Sequence, residues 1–91
     1  MYKISLIERL EDAAEIGKKS IFLFVWKKNI TSLRKNGLKV TEKFPSSRKK
    51  GLFYCEISWE HAIVEDINIP FSDKSLSQAQ RLWLIAEKGS K

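Results

Sequence analysis

The run 20-SIFLFVW-26 contains the longest unbroken apolar stretch of this 91-residue sequence. Its β-branched and aromatic residues predict a strand, and because no polar residues alternate with them, we expect cover on both faces. We therefore predict the central strand of a sheet. Phe22, Phe24 and Trp26 alternate on one side of it, and we expect them to pack in the core rather than stack on a ligand. Trp26 and Tyr54 are the exceptions to watch, because they lie nearest the basic residues or off the core face. The apolar stretch is far shorter than the roughly 20 residues that a membrane-spanning helix needs, so no membrane partner is expected.

The segments that follow this strand predict a short helix and a hairpin. In residues 29–37, Asn29 can cap a helix and Asn36-Gly37 can end it, but Asn-Gly also suits a two-residue hairpin turn. We favour the helix because β-branched residues are scarce between positions 32 and 36. Residues 38–43 and 52–59 alternate apolar and polar side chains around a polar loop, which predicts an antiparallel hairpin.

Both ends of the chain predict helices. Ser5 with Glu8 forms a capping-box pattern, and apolar residues at helical spacing extend it over about 5–16. Ser75 with Gln78 repeats the pattern and predicts where the last helix begins, whereas residues 61–70 read as irregular or as a short edge element.

The order of these elements predicts a single α+β domain over residues 1–91. We expect a small, mostly antiparallel sheet of about three strands. Helices from the two termini pack on that sheet, and a short helix lies in the middle of the chain.

The positive charge is concentrated in the middle of the chain. Residues 17–50 hold eleven lysines and arginines against Glu42 alone, within a net charge of +6 for the whole sequence. Such a block attracts phosphates, so we predict a nucleic acid bound largely through its backbone. The alternative is a solubilising surface, partly neutralised by the acidic first helix and the 60–66 loop. The predicted contact residues are Lys27, Lys28, Arg34, Lys35, Lys39, Arg48, Lys49 and Lys50.

The last helix supports a second hypothesis. Leu84 and Ile85 widen its apolar stripe beyond what one sheet face needs, so the helix is also a candidate protein interface. The protein would then be an inhibitor or adaptor of an acidic host protein, or a homodimer through this helix. The residues predicted at that interface are Leu82, Trp83 and Ile85.

No pattern indicates catalysis, a metal site or a cofactor. Cys55 alternates in register with core residues and reads as a small buried hydrophobe, and His61 is the only histidine. The carboxylates near His61 lack ligand spacing, so a solvated acidic loop is the simpler interpretation. We expect a non-enzymatic binding protein, and the single cysteine favours the reducing cytoplasm.

Two resemblances involve the order of elements more than any functional residue. The runs 13-AAEIGKKSI-21, 33-LRKNGLKV-40 and 57-ISW-59 resemble small accessory proteins of bacterial viruses and prophages, a pattern with no defined site residues. The order helix, three strands and helix resembles the double-stranded-RNA-binding domain. The lysine-rich start of that family's last helix is missing here, because residues 75–78 read Ser-Leu-Ser-Gln.

Overall fold

A computed structural model describes residues 5–70 and 72–89 of the chain. The described residues form three helices and three strands in the order α1 (Leu6–Glu15), β1 (Ser20–Trp26), α2 (Lys27–Lys35), β2 (Lys39–Pro45), β3 (Leu52–Ser58) and α3 (Gln78–Gly89). The predicted α+β class is confirmed, with helices near both ends. The ambiguous segment after β1 is the helix α2, which we favoured over a hairpin.

The strand order corrects the prediction for β1. The sheet runs β1-β3-β2 and both pairings are antiparallel, so β3 is central and β1 is an edge strand. The predicted hairpin of β2 and β3 is present. β1 pairs with the far side of β3 because α2 carries the chain across the sheet between β1 and β2. An apolar run alone could not reveal this crossover.

All three helices cover one face of the sheet. The main core combines buried residues of the helices, such as Leu10, Leu33 and Leu82, with strand residues of alternating position, such as Cys55 and Ile57. Trp59, directly after β3, is fully buried, and its indole nitrogen donates a hydrogen bond to the Lys18 carbonyl (3.1 Å). The opposite face of the sheet has no helix among the described residues, so β1 is not covered on both sides as predicted.

The first helix begins where its capping pattern predicts. Ser5 Oγ accepts a hydrogen bond from the Glu8 backbone N–H (3.2 Å). The last helix begins two residues later than predicted, because Ser77 and Gln80 form the reciprocal capping box (3.0 and 3.2 Å). Ser75 instead bonds to the carboxylate of Asp73 in the preceding turn.

The irregular segment before α3 explains the width of its apolar stripe. Val64 and Leu76 from this segment pack with Leu84 in a second, smaller cluster, against which Ile69 and Trp83 lie. The helix therefore buries one side against the sheet and another against the segment. Leu82 is fully buried, whereas Trp83 and Ile85 are partly exposed. Of the three residues predicted at a protein interface, burial removes Leu82 from the surface.

The described helices include none that combines the length and apolar character needed to cross a membrane.

Candidate nucleic-acid interface

The uncovered face of the sheet is aromatic. Successive side chains of β1 point to opposite faces of the sheet. Those of Ile21, Leu23 and Val25 point toward the helices, and the aromatic side chains of the strand point to the uncovered face. Phe22, Phe24 and Trp26 are 49%, 47% and 41% exposed, and Phe44 of β2 is 52% exposed. The prediction that Phe22 and Phe24 pack in the core is therefore wrong, and Trp26, one of the two exceptions to it, lies exposed with them. We call this surface, with Tyr54 of β3, the open face.

Four of the aromatic rings form a connected group across the three strands. Tyr54 lies at its centre, because it pairs with Phe24 on one side and with Phe44 on the other. Its ring centroid is 5.0 Å from that of Phe44 and 6.1 Å from that of Phe22, both with nearly parallel planes. Phe24 lies 5.1 Å from Tyr54 at a tilted angle. These contacts hold the rings in place while leaving much of their surface in solvent.

A bulge in β2 places Phe44 on the open face. Glu42 pairs with Cys55 and Phe44 pairs with Tyr54, so Lys43 is an extra residue opposite β3. In a regular ladder, Lys43 would face Tyr54 and the ring of Phe44 would turn toward the helices. Lys43 remains on the open face, where its ammonium lies 3.9 Å from the Glu56 carboxylate.

The β2–β3 loop adds cations beside the rings. A groove of about 470 Å³ runs between Phe24, Phe44 and the loop, with Arg48 and Lys49 on its loop side. Ser46 Oγ accepts hydrogen bonds from the backbone N–H groups of Arg48 and Lys49 (3.2 and 3.3 Å), which orders this turn. The groove is therefore apolar on one wall and cationic on the other.

A second group of cations lies at the same end of the sheet. Trp26, Lys27, Lys28 and Gly51 line a small cleft where α2 begins. The Lys27 backbone N–H donates to the Gly51 carbonyl (2.8 Å), which joins this helix start to the hairpin loop. Lys27 and Lys28 therefore lie near the loop cations, whereas the sequence separates them by about twenty positions.

The remaining predicted contact residues lie elsewhere. Arg34 and Lys35 belong to the last turn of α2 in the helical layer, and the Arg34 guanidinium donates to the Val40 carbonyl (2.8 Å). Lys39 lies on β2 opposite Ser58, at the end of the sheet away from the hairpin loop. The structure thus brings together Lys27, Lys28, Arg48 and Lys49 around the aromatic end of the sheet, with Lys50 in the same loop.

Lys19 of the basic block is engaged with the last helix. Its ammonium lies 2.6 Å from a carboxylate oxygen of Glu87 and 5.2 Å from the centre of the Trp83 ring. Part of the positive block therefore serves the packing of α3 rather than a ligand.

The residues considered for chemistry do not assemble into a reactive site. Cys55 is buried, and this burial is the main cause that raises the pKa of its thiol. The negative charge of Glu42 raises that pKa further, whereas the positive charge of Arg34 lowers it. His61 Nε2 lies 2.8 Å from the Gly37 carbonyl oxygen, so it joins the acidic loop to the α2–β2 turn. Within residues 5–70 and 72–89, no three His, Cys, Asp or Glu side chains are grouped to hold a metal ion.

Comparison with protein-family models, with curated proteins and with solved structures returned no match.

Sequence reasoning singled out Trp26 and Tyr54 but assigned Phe22 and Phe24 to the core, although a signal for their exposure was present. Within 20-SIFLFVW-26 the aliphatic residues occupy one parity and the aromatic residues the other. In a strand that is buried on both faces, aliphatic and aromatic side chains are not expected to separate onto opposite faces. We read the alternation of the aromatic residues as core packing, whereas their separation from the aliphatic residues indicates a second face of the strand with a different environment.

Proposed function

We propose that this protein is a non-enzymatic cytoplasmic module that binds single-stranded nucleic acid on the open face of its sheet. The observation that carries the proposal is the exposed aromatic group beside cations: four ring-contacting side chains, with Arg48 and Lys49 along the adjoining groove. Contiguous exposed apolar surface is unusual on a soluble protein and marks an interaction site. The lysines and arginines nearby fit a polyanion.

The rings favour a single strand over a duplex. Unpaired bases can stack on aromatic side chains, which contributes roughly 1–3 kcal/mol per base, whereas the bases of a duplex already stack on each other. Tyr54, Phe44 and Phe22 lie nearly parallel, so a base can extend this series at the Phe44 end, in the groove beside Arg48. There the cationic wall would contact the phosphates.

The test is fluorescence anisotropy of a labelled single strand of about 16 nucleotides, as DNA and as RNA, against the matching duplex. We expect the single strands to bind more tightly than the duplex, with affinity that falls as salt rises. No binding at low salt contradicts the proposal and redirects the search to protein partners.

Two substitutions at Tyr54 distinguish a loss of affinity caused by lost stacking from one caused by misfolding or by lost apolar contact. Tyr54→Leu keeps an apolar side chain but removes the ring, so it should weaken single-strand binding about five-fold or more. Tyr54→Phe keeps the ring and should leave the affinity within about two-fold of the unmodified protein, since stacking needs no hydroxyl. If duplex and single strand bind with equal affinity and Tyr54→Leu does not change that affinity, charge attraction alone explains the binding. That result would contradict the stacking argument.

A further inference from the structure

The two edges of the sheet are built differently. The β2 edge carries several features that prevent a further strand from pairing: Lys39 and Lys43, the bulge at Lys43, and Pro45 at its end. The Val40 carbonyl points outward from this edge, because Val40 belongs to a non-hydrogen-bonded pair with β3, and the Arg34 guanidinium occupies it. Natural sheets use such features to avoid edge-to-edge association.

The β1 edge has none of these features. Its seven residues include no charged side chain and no proline, and they pair with β3 in one unbroken register. Two grooves of about 520 and 470 Å³ lie along this edge, between β1 and α1, and both are lined by Leu23 of the strand and by Arg9 of the helix. The described part of the chain therefore leaves a long, regular and apolar edge strand accessible, which is a template for another strand.

The backbone bonds at the two ends of β1 show which groups point outward. Trp59 N–H donates to the Lys19 carbonyl (2.9 Å), and Lys27 N–H donates to the Gly51 carbonyl (2.8 Å). Because hydrogen-bonded pairs alternate along an antiparallel ladder, Ile21, Leu23 and Val25 direct their backbone groups to β3. The backbone N–H and C=O groups of Ser20, Phe22 and Phe24 face the free edge. The Trp26 N–H does so too, but the Trp26 carbonyl accepts the first hydrogen bond of α2.

We infer that β1 pairs antiparallel with β1 of a second copy of this chain, about a two-fold axis at Leu23. Phe22 and Phe24 lie symmetrically around Leu23, so in an antiparallel pair of two copies the outward N–H of each faces the outward C=O of the other. Phe22 then pairs with Phe24 of the partner subunit, and Ser20 with Trp26 of the partner subunit. All the outward backbone groups of Phe22 and Phe24 are satisfied, the Trp26 N–H bonds to the Ser20 carbonyl of the other copy, and the Phe22–Phe24 contacts are favourable aromatic cross-strand pairs.

This dimer has a six-stranded sheet with both open faces on the same side. Opposite residues of an antiparallel pair project to the same face, so the aromatic residues of the two copies form one continuous surface. The inference stands on the β1 edge alone and does not require that the open face bind nucleic acid.

Sedimentation equilibrium tests the inference with a matched pair of variants at one outward position. Phe22→Ala removes the ring but keeps the outward N–H, whereas Phe22→Pro also removes that N–H without touching the β3 ladder. We expect the unmodified protein to dimerise, Phe22→Ala to retain measurable dimer, and Phe22→Pro to be monomeric with a folded circular dichroism spectrum. A strictly monomeric unmodified protein overturns the inference, as does a dimer that Phe22→Pro leaves intact.

Cysteine cross-linking tests the register and keeps the inference testable if the proline variant does not fold. The proposed axis brings position 23 within about 5 Å of its copy, measured between Cβ atoms, and leaves position 20 about 20 Å from its own copy. Oxidised glutathione should therefore convert Leu23→Cys, but not Ser20→Cys, to a covalent dimer. Cross-linking of Ser20→Cys with none of Leu23→Cys overturns the register, and the absence of both overturns the dimer. A homodimer through α3 would also leave Leu23→Cys unlinked.

Discussion

The two faces of this sheet differ in kind although the same strands build both. The helix-covered face consists mainly of aliphatic residues and Cys55, whereas the open face is aromatic with a few polar side chains. Aliphatic side chains fill the space between a sheet and its helices closely. Aromatic rings remain well defined when half exposed, because they contact each other across strands at 5.0 to 6.3 Å. A strand that looks uniformly apolar can thus have one structural face and one face available for binding.

The largest expected effect is on the stability of the covered face. Ile57 is fully buried on the central strand, so Ile57→Ala should lower the free energy of unfolding by about 2–5 kcal/mol. Phe22→Ala removes a larger side chain from the open face but should cost less, about 1 kcal/mol, because half of the ring is already in solvent. Urea unfolding followed by circular dichroism measures both. Equal losses would mean that the open face is part of the core.

The next effect separates binding from stability. Phe24→Leu keeps an apolar side chain on the open face but removes the ring, so single-strand affinity should fall about five-fold or more. Ile57→Val is the control on the covered face: it costs about 0.5–1.5 kcal/mol of stability and should leave affinity unchanged. Anisotropy titrations of both folded variants provide the comparison. An affinity loss in Ile57→Val as large as that in Phe24→Leu would contradict the division between the faces.

A smaller effect concerns which cations belong to the open face. Replacing Arg48, Lys49 and Lys50 with Gln should reduce the slope of log affinity against log salt by up to about 2, because each phosphate contact of a single strand contributes about 0.7. Lys35 lies in the helical layer, so Lys35→Gln should leave the slope unchanged. The titrations are repeated at several salt concentrations. The opposite ranking would place the ligand on the helices.

The smallest effect concerns the pH dependence of Cys55 on the covered face. Burial raises the pKa of this thiol, so the folded protein holds the proton more tightly than the unfolded chain does. The stability that this provides is present below the unfolded thiol's pKa, about 8.5, and is lost as pH rises through the higher folded pKa. Unfolding measured between neutral and alkaline pH should show this decline, and Cys55→Ala should remove that part of it. An identical decline in the variant would assign it to other groups.

Local sequence patterns predicted most of the elements. The Ser5–Glu8 cap, the alternation of β2 and β3 and the polar loop between them are local, and each appears where predicted. The last helix is capped by Ser77 rather than by Ser75. Both serines fit the capping pattern, but Ser75 is bonded to Asp73 in the preceding turn. The Asp73–Ser75 contact spans only two positions, so the acidic residue just before Ser75 is a local signal that favours the later serine as the cap.

The sequence by itself determined the fold class, the elements and the one-sided charge of this protein, since helix caps, side-chain periodicity and charge depend on neighbours along the chain. Only the tertiary structure decided that β1 is an edge strand, that its aromatic side lacks a helical cover, and that Lys27 and Lys28 lie near Arg48 and Lys49. The physical reason is that a strand's faces and edges acquire cover from segments distant in sequence. Here α2 carries the chain across the sheet, and β3, not β2, pairs with β1.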